Sequence, residues 1–415
     1  MALIVQKYGG TSVGDPDRIK SVARKIVTRK RKGDTVVVVV SAMSGETNKL
    51  VALVNQIAEI HDTREYDQIV STGEQITVGL LTLAIQALGE KSRSFLGLQV
   101  PILTNSTSAK ARILQVGEKN LRKALAEGVI PVVAGFQGVD EKGNVTTLGR
   151  GGSDTTAVAV AAALKADLCE IYTDVDGVYT ADPNICEKAR RLDRVSYDEM
   201  LELASMGAKV LQTRSVELAK RFRVPVLTLS SFTEGGGTLM KEGKGMESLV
   251  VSGVAADRNE AKVTVSHVPD RQGIAARLFQ AVADANVVVD MIVQNVSESG
   301  YTDITFTVTK ADLARAQKTV EGIIGELGAG KVRTDVKVAK VSIIGSGMHS
   351  QPGVAARMFS ALAKEGINIL MISTSEIKVS CLIEEKYAEL AVRALHAAFL
   401  EEETQPKKAG KKPKG

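Results

Sequence analysis

Four short segments of this 415-residue chain concentrate glycine beside residues able to hold or neutralise an anion. The first is Lys7-Tyr-Gly-Gly-Thr-Ser12, directly after an apolar run. Its glycines let backbone N–H groups approach an anion, and the lysine adds a point charge. The second, Ser71-Thr-Gly-Glu74, opens an apolar helix, and the third, Gly149-Arg-Gly-Gly-Ser-Asp-Thr-Thr156, again falls at a helix start. The fourth, Tyr172-Thr-Asp-Val-Asp-Gly-Val-Tyr-Thr-Ala-Asp-Pro183, is a strand end followed by turn residues. Any one of them reads equally as a turn or a helix cap. Four in one region, with Lys7 and Arg150 beside the glycines, read as parts of one site. The chemistry they suit is phosphoryl transfer, which needs positioning and positive charge more than covalent help.

Missing motifs narrow the choice. The chain has no GxxxxGK[ST], no GxGxxG after its first strand, and neither H-R-D nor D-F-G, so P-loop, dinucleotide-fold and protein-kinase sites lack their signatures. Its histidines, His61, His267, His349 and His396, all lie outside the four segments. That argues against a His-built metal centre or a nucleophile–His pair, and no site binding a metal through protein ligands alone is expected. An acceptor that is already a carboxylate needs no general base, only neutralisation of two repelling anions. Cations without a base among the glycines favour such an acceptor.

The elements that must position these segments alternate strand and helix over the first ~230 residues, the pattern of an α/β sheet covered on both faces. Ala2–Gln6 and Thr35–Ser41 read as strands buried on both sides, the latter with five consecutive valines. Further strands are predicted at Val100–Thr104, Ile130–Ala134, Leu168–Thr173 and Val226–Leu229, with helices at Asp17–Lys32 and Ser153–Ala166. Residues 1–233 are expected to form this first, mostly parallel domain, and the Gly-rich stretch 234–247 a linker.

An internal repeat follows. Gly273-Ile-Ala-Ala-Arg-Leu-Phe279 returns as Gly353-Val-Ala-Ala-Arg-Met-Phe359, and Met291-Ile292 returns as Met371-Ile372. Each copy reads as βαββαβ, a ferredoxin-like module. The first module is placed at 261–338. The second lacks a last strand after Lys386–Phe399, so 248–256 is expected to supply it, giving a discontinuous module of 248–256 plus 339–400. Residues 401–415 read as a disordered basic tail.

Composition excludes several classes. Hydrophobic residues at 44% and charged residues at 24% are ordinary for a globular protein. No apolar run approaches the ~18–20 residues a membrane span requires, and MALIVQKYGG has neither a basic n-region nor a cleavage site. Cys169, Cys186 and Cys381 are scattered and odd in number, which points to a reducing compartment, the cytoplasm. The net charge of +5 resides in Lys407, Lys408, Lys411, Lys412 and Lys414, leaving the body neutral. With no tryptophan and 4% aromatics, neither nucleic acid nor membrane is an expected partner.

The segments VQKYGGTSV, SAMSGETNKL, STGE, GFQGV, TTLGRGGSDTTA and YTDVDGVYTADP, with the paired repeat, resemble the aspartate kinases of the amino acid kinase family, whose two regulatory modules are ACT domains. The resemblance runs in order from residue 1 to about 400. It implies ATP-dependent phosphorylation of L-aspartate to 4-phospho-L-aspartate, with Mg2+, at the head of the branch to lysine, threonine, methionine and diaminopimelate. Carried over, Lys7 would hold the transferring phosphate, with Tyr8, Gly9 and Gly10 along the phosphates. Ser41 and Thr47 would contact aspartate, Glu74 would bind its ammonium group, and Arg150 would clamp a carboxylate beside Ser153. Asp154 would orient Lys7. Thr173, Asp174, Tyr179, Asp182 and Lys209 would surround the nucleotide. Where the family usually has arginine after Asp-Pro, this chain has Asn184. That implies weaker nucleotide binding unless Lys188, Arg190 or Arg191 compensates.

The same resemblance places amino-acid effectors between ACT modules of two chains, so a homodimer is expected. Matching positions are Asp270, Gly273, Ile274, Ala275, Val289, Asp290 and Gln294 in the first copy, and Val354, Ala355, Asn368, Ile369, Ser375 and Glu376 in the second. Lysine, threonine or the two together would fit such loops. Met246 resembles the internal start from which some members make a separate small subunit, which would give a heterotetramer. Two other readings stay open on the residues alone. One is another amino acid kinase, acting on glutamate, acetylglutamate or a nucleotide, against which STGE and the paired modules count. The other is an idle amino-acid sensor, against which the intact Lys7, Glu74, Arg150 and Asp154 count.

Overall fold

Val36–Val40 offer water no polar face, and all five are buried on a strand covered from both sides. The structure is a computed structural model, described for residues 1–58, 62–206, 210–243, 250–295, 300–348 and 351–401. Two compact units emerge: Met1–Tyr179 with Arg191–Met246, and Thr180–Arg190 with Glu247–Gly415.

The first unit begins β1 (Leu3–Tyr8), α1 (Pro16–Arg31), β2 (Thr35–Val40), α2 (Glu46–Ile57), α3 (Thr63–Val70) and α4 (Thr72–Ala87). It continues through β3 (Ser92–Phe95), β4 (Ile102–Thr104), β5 (Ile113–Val116), α5 (Lys119–Ala126), β6 (Ile130–Ala134), β7 (Gln137–Val139) and β8 (Val145–Thr147). It ends with α6 (Gly152–Leu164), β9 (Leu168–Thr173), β10 (Arg194–Val195), α7 (Tyr197–Ser205), α8 (Thr213–Phe222), β11 (Val226–Ser230) and β12 (Thr238–Met240). Its main sheet has the order β10-β12-β11-β9-β1-β2-β6-β3, parallel except where β11 meets β12. From β1 the chain builds outward through β2 on one side and β9 on the other, so the strand order reverses beside β1. The crevice at the carboxyl ends of strands beside such a reversal is where α/β sheets bind ligands.

Helix placement follows the residue pattern. Asp15 caps α1 by accepting from the Arg18 amide, and Pro16 takes the first helical position, where no N–H is needed. The apolar stripe Ile19, Val22, Ala23, Ile26 and Val27 then packs with Val78, Leu81 and Ile85 of α4 on one face of the sheet. On α6 every residue from Gly152 to Ala161 is buried, and its alanine and valine run suits a helix surrounded by protein. A small second sheet, β5-β4-β7-β8, takes in the strand expected at Val100–Thr104 as β4 and adds β5, β7 and β8, which the sequence does not announce; its strands are only three or four residues long.

The second unit comprises β13 (Gly253–Asp257), β14 (Glu260–Pro269), α9 (Ile274–Asp284), β15 (Val289–Gln294), β16 (Tyr301–Thr309), α10 (Leu313–Leu327) and β17 (Val332–Asp335). β18 (Val338–Ile344), α11 (Val354–Lys364), β19 (Met371–Thr374), β20 (Lys378–Glu384) and α12 (Ala388–His396) follow. They form two antiparallel four-stranded sheets, β15-β16-β14-β17 and β13-β18-β20-β19. Lys340 on β18 links them, its ammonium 2.7 Å from Glu260 on β14 and also paired with Asp290 on β15. The segment Thr180–Arg190 is built into this unit. Ala181 and Cys186 fill its core beside Val251, Phe399 and Leu400, Thr180 Oγ1 lies 2.9 Å from His396 Nε2, and Lys188 pairs with Glu401 at 2.5 Å. Met246 lies outside the described residues.

Candidate active site

Four strands of the main sheet, β1, β2, β6 and β9, end in segments quoted above. β1 runs into Gly9 and Gly10, whose tight path is fixed by neighbours. The Gly9 amide donates to the Tyr172 carbonyl at the end of β9, and a Cβ on Gly10 would sit 2.9 Å from the Ala42 carbonyl after β2. The Ser41 amide donates to the Tyr8 carbonyl. α4 closes on the same place: a Cβ on Gly73 would lie 2.8 Å from the Ala42 Cβ, and Glu74 Oε1 accepts from the Ala42 amide at 3.0 Å. From β6, Gly135 packs against the start of α6, where its Cβ would stand 2.8 Å from the Cβ and Oγ of Ser153.

Lys7 joins these parts. Its Nζ lies over Gly9, within 3.3 Å of where a Cβ would be, and 2.6 Å from Asp154 Oδ1. Both side chains are nearly buried, and the ammonium, with three N–H donors, can pair with Asp154 and still reach a second anion. Glu74 is 3% exposed, with Oε2 buried and without a hydrogen-bond partner among the described residues. Burial raises its pKa from 4.5 to about 7, against the lowering effect of the Ala42 and Glu74 amides.

Lys7, Gly9, Gly10, Ser41, Glu74, Ser153, Asp154 and Thr173 thus meet at the carboxyl ends of β1, β2, β6 and β9 and the starts of α4 and α6. Thr47 occupies the first turn of α2, and the Arg150 side chain is exposed with no partner among the described residues. The Tyr8 ring points the other way: it is fully buried, stacked on Tyr172 at 4.7 Å, so only its main chain faces the loop. Thr173 Oγ1 donates to Asp174, and Tyr179 donates its hydroxyl to Asp176. Asp182 belongs to the second unit, where its Oδ1 accepts from the Asn184 amide and side chain; Asn184 there closes a turn. Lys209 lies outside the described residues.

Among the effector candidates, Gly273 and Gly353 hold matching left-handed positions, φ +88° and +90°, immediately before α9 and α11, which Ile274 and Val354 open. Ala275 and Ala355 follow in the first turns. Val289, Asp290 and Gln294 lie on β15, Asn368 and Ile369 precede β19, and the Ser375 amide donates to the Lys378 carbonyl ahead of β20, next to exposed Glu376. The Asp270 amide donates to the Gly300 carbonyl. Asp290, suited to an effector ammonium, is held by Lys340.

Sequence reasoning missed Asp67, Gln212 and Arg214, which brace the main chain around Arg150. An acid three residues before buried Val70 on α3, at a core position of the helical period, was the available signal for Asp67. It also missed a buried network behind β1, in which Glu170 accepts from Gln6 and Tyr172 and pairs with Arg29.

One consequence can be measured directly. Gly135→Ala places its Cβ against Ser153 and pushes the start of α6, with Asp154, away from β6. A displacement of this order lowers kcat by roughly tenfold to a hundredfold. Steady-state kinetics beside a thermal melt will show a loss in kcat larger than the loss in stability accounts for.

An open parallel sheet with a lysine–aspartate pair and a buried glutamate at its reversal point defines a phosphotransferase site for small anions. The Amino acid kinase family matches residues 2–229, and the ACT domain matches residues 263–322 and again 341–399. An aspartate kinase of Stutzerimonas stutzeri is 58% identical over 401 residues, 96% of this chain and 97% of its own. An aspartokinase of Mycolicibacterium smegmatis is 52% identical over 405 residues, 96% of each chain. The solved structure of E. coli aspartokinase III with aspartate and ADP, described as the R-state, has a TM-score of 0.81 at 28% identity, covering 95% of this chain and 99% of that one. The same enzyme with lysine and aspartate, described as the T-state, gives a TM-score of 0.73. The chain belongs to the amino acid kinase family, and within it to the aspartate kinases that carry two ACT domains. No helix among the described residues is long and apolar enough to cross a membrane.

Proposed function

We propose that the chain transfers the γ-phosphate of ATP to the β-carboxylate of L-aspartate, giving 4-phospho-L-aspartate and ADP for lysine, threonine, methionine and diaminopimelate biosynthesis. The observation that carries this reading is the Lys7–Asp154 pair at 2.6 Å over Gly9. It sets a cation where two anions would meet, and an acceptor that is already a carboxylate needs no proton removed. Glu74 takes the substrate ammonium at its unbonded Oε2, Arg150 takes a carboxylate in two-pronged fashion, and Ser41, Thr47 and Ser153 orient the acceptor. Gly9 and Gly10 admit the triphosphate to backbone N–H groups, and Thr173, Asp174 and Tyr179 hold the nucleotide; the family resemblance alone adds Asp182 and Lys209. Mg2+ bound with the triphosphate would supply neutralisation of its charge. Asp154 and Asp174 are hard-oxygen donors suited to an ion that keeps most of its own water.

Lysine, threonine or both inhibit through the ACT modules of a cytoplasmic homodimer, at the loops opening α9 and α11 and along β15 and β19. The decisive experiment traps acyl phosphate with hydroxylamine, using aspartate, glutamate and acetylglutamate as acceptors, alone and with lysine, threonine or both. Aspartate-dependent hydroxamate that falls with an added amino acid supports the reading and names the effector. Hydroxamate from glutamate or acetylglutamate in place of aspartate refutes it.

A further inference from the structure

The exposed Arg150 guanidinium stands beside main chain gripped by two charged side chains, Asp67 and Arg214. Asp67 is fully buried on α3, and both its oxygens accept from the Ala109 amide at 3.0 Å. The same carboxylate accepts from the Thr147 amide at 3.0 Å and from the Thr147 hydroxyl at 2.6 Å. Arg214 on α8 does the complementary work, donating from Nη1 to the Leu148 carbonyl at 2.6 Å and from Nη2 to the Ala111 carbonyl at 2.8 Å. Between these clamps the Ala111 amide donates to the Thr147 carbonyl. On the far side of Arg150, Gln212 donates to the Arg150 carbonyl at 2.8 Å, its Cγ 2.4 Å from where a Cβ on Gly151 would be, at φ +69°.

Neither Asp67 nor Arg214 makes an ion pair among the described residues. Each loses solvation and spends its charge on two segments, 109–111 and 147–148, through their peptide groups and the Thr147 hydroxyl. Burying a charge in that way is a poor route to stability when apolar packing would serve. It is a good way to fix a short loop that lacks regular hydrogen bonding of its own. We propose that Asp67 and Arg214 are positioning residues for Arg150, and through it set the affinity for the carboxylate of the amino-acid substrate. The proposal rests on the role given to Arg150 above.

The test is a double-mutant cycle on the full chain, read by hydroxamate formation. Arg214→Lys keeps the charge but cannot reach two carbonyls at a fixed angle. It should raise KM for aspartate by roughly tenfold or more while leaving KM for ATP within about twofold, because only the carboxylate clamp is displaced. Asp67→Asn should move the same parameter, and Arg214, which is half-buried, keeps the test decisive if that variant does not fold. In an Arg150→Ala background, Arg214→Lys should change kcat/KM for aspartate by less than about twofold, since the group it positions is gone. An unchanged KM for aspartate, or a full penalty persisting in that background, overturns the proposal. A wild-type chain that phosphorylates no aspartate removes the parent reading, and this one with it.

Discussion

Lys7→Ala will lower kcat by about a thousandfold or more, the scale seen when a cation aimed at a transferring phosphoryl group is removed. It will also lower the melting temperature, because Asp154 is 8% exposed and loses the one cation paired with it among the described residues. Leaving a nearly buried carboxylate unpaired costs about 3–5 kcal/mol. The two effects separate in the double variant Lys7→Ala/Asp154→Asn, where no charge is stranded. That protein should recover most of the lost melting temperature and none of the lost turnover. Recovery of activity would mean that Lys7 serves only to neutralise Asp154, and the phosphate-holding role would fall.

The second large effect concerns Glu74. Its folded pKa of about 7 stands above the ordinary 4.5 because the carboxyl is buried, so below neutrality the free enzyme holds it protonated. Only the carboxylate can receive an ammonium group. kcat/KM for aspartate should therefore rise about tenfold per unit as pH climbs toward 7 and level off above it. kcat at saturating aspartate should respond at lower pH, since a bound ammonium stabilises the charged form. Glu74→Gln should flatten the profile and lower kcat/KM at pH 8 by about a hundredfold, as expected for breaking a buried charge pair.

Stability runs the opposite way. A raised folded pKa means that the group's contribution is complete below pH 4.5 and is lost as pH rises through 7, a change on the order of 3 kcal/mol. Glu74→Gln should melt higher than the wild type at pH 8, and the gap should close toward pH 4.5. A wild-type profile with no limb near 7 would show that Glu74 does not take the ammonium.

The parts of the site legible in the sequence are those whose residue type is itself the constraint. Gly10 and Gly73 stand where a Cβ would meet Ala42, and Lys7 and Asp154 carry the charges that phosphate chemistry needs. The valine run of β2 and the stripe of α1 likewise betray burial by composition and period. The braces on Arg150 were hidden because their partners are carbonyl and amide groups, which every residue has. Arg214 reads as one more charge on an amphipathic helix, and only the fold brings it to Leu148 and Ala111. Lys340 was invisible for a related reason: its pairing with Asp290 and Glu260 crosses from one repeat to the other, and nothing in either copy announces it. The motif ending at Pro183 reads as one continuous nucleotide element, yet the chain divides within it, after Tyr179.

That division makes the regulatory half a split protein. A polypeptide begun near Glu247 would fold around an empty slot eleven residues long, lacking the side chains of Ala181 and Cys186 in its interior and the Thr180 hydroxyl opposite His396. Such a fragment is a receptor for its own missing piece. A peptide copying Thr180–Arg190 supplied in trans, or the same stretch lent by a full-length chain, is the ligand that its vacant core is shaped to take up.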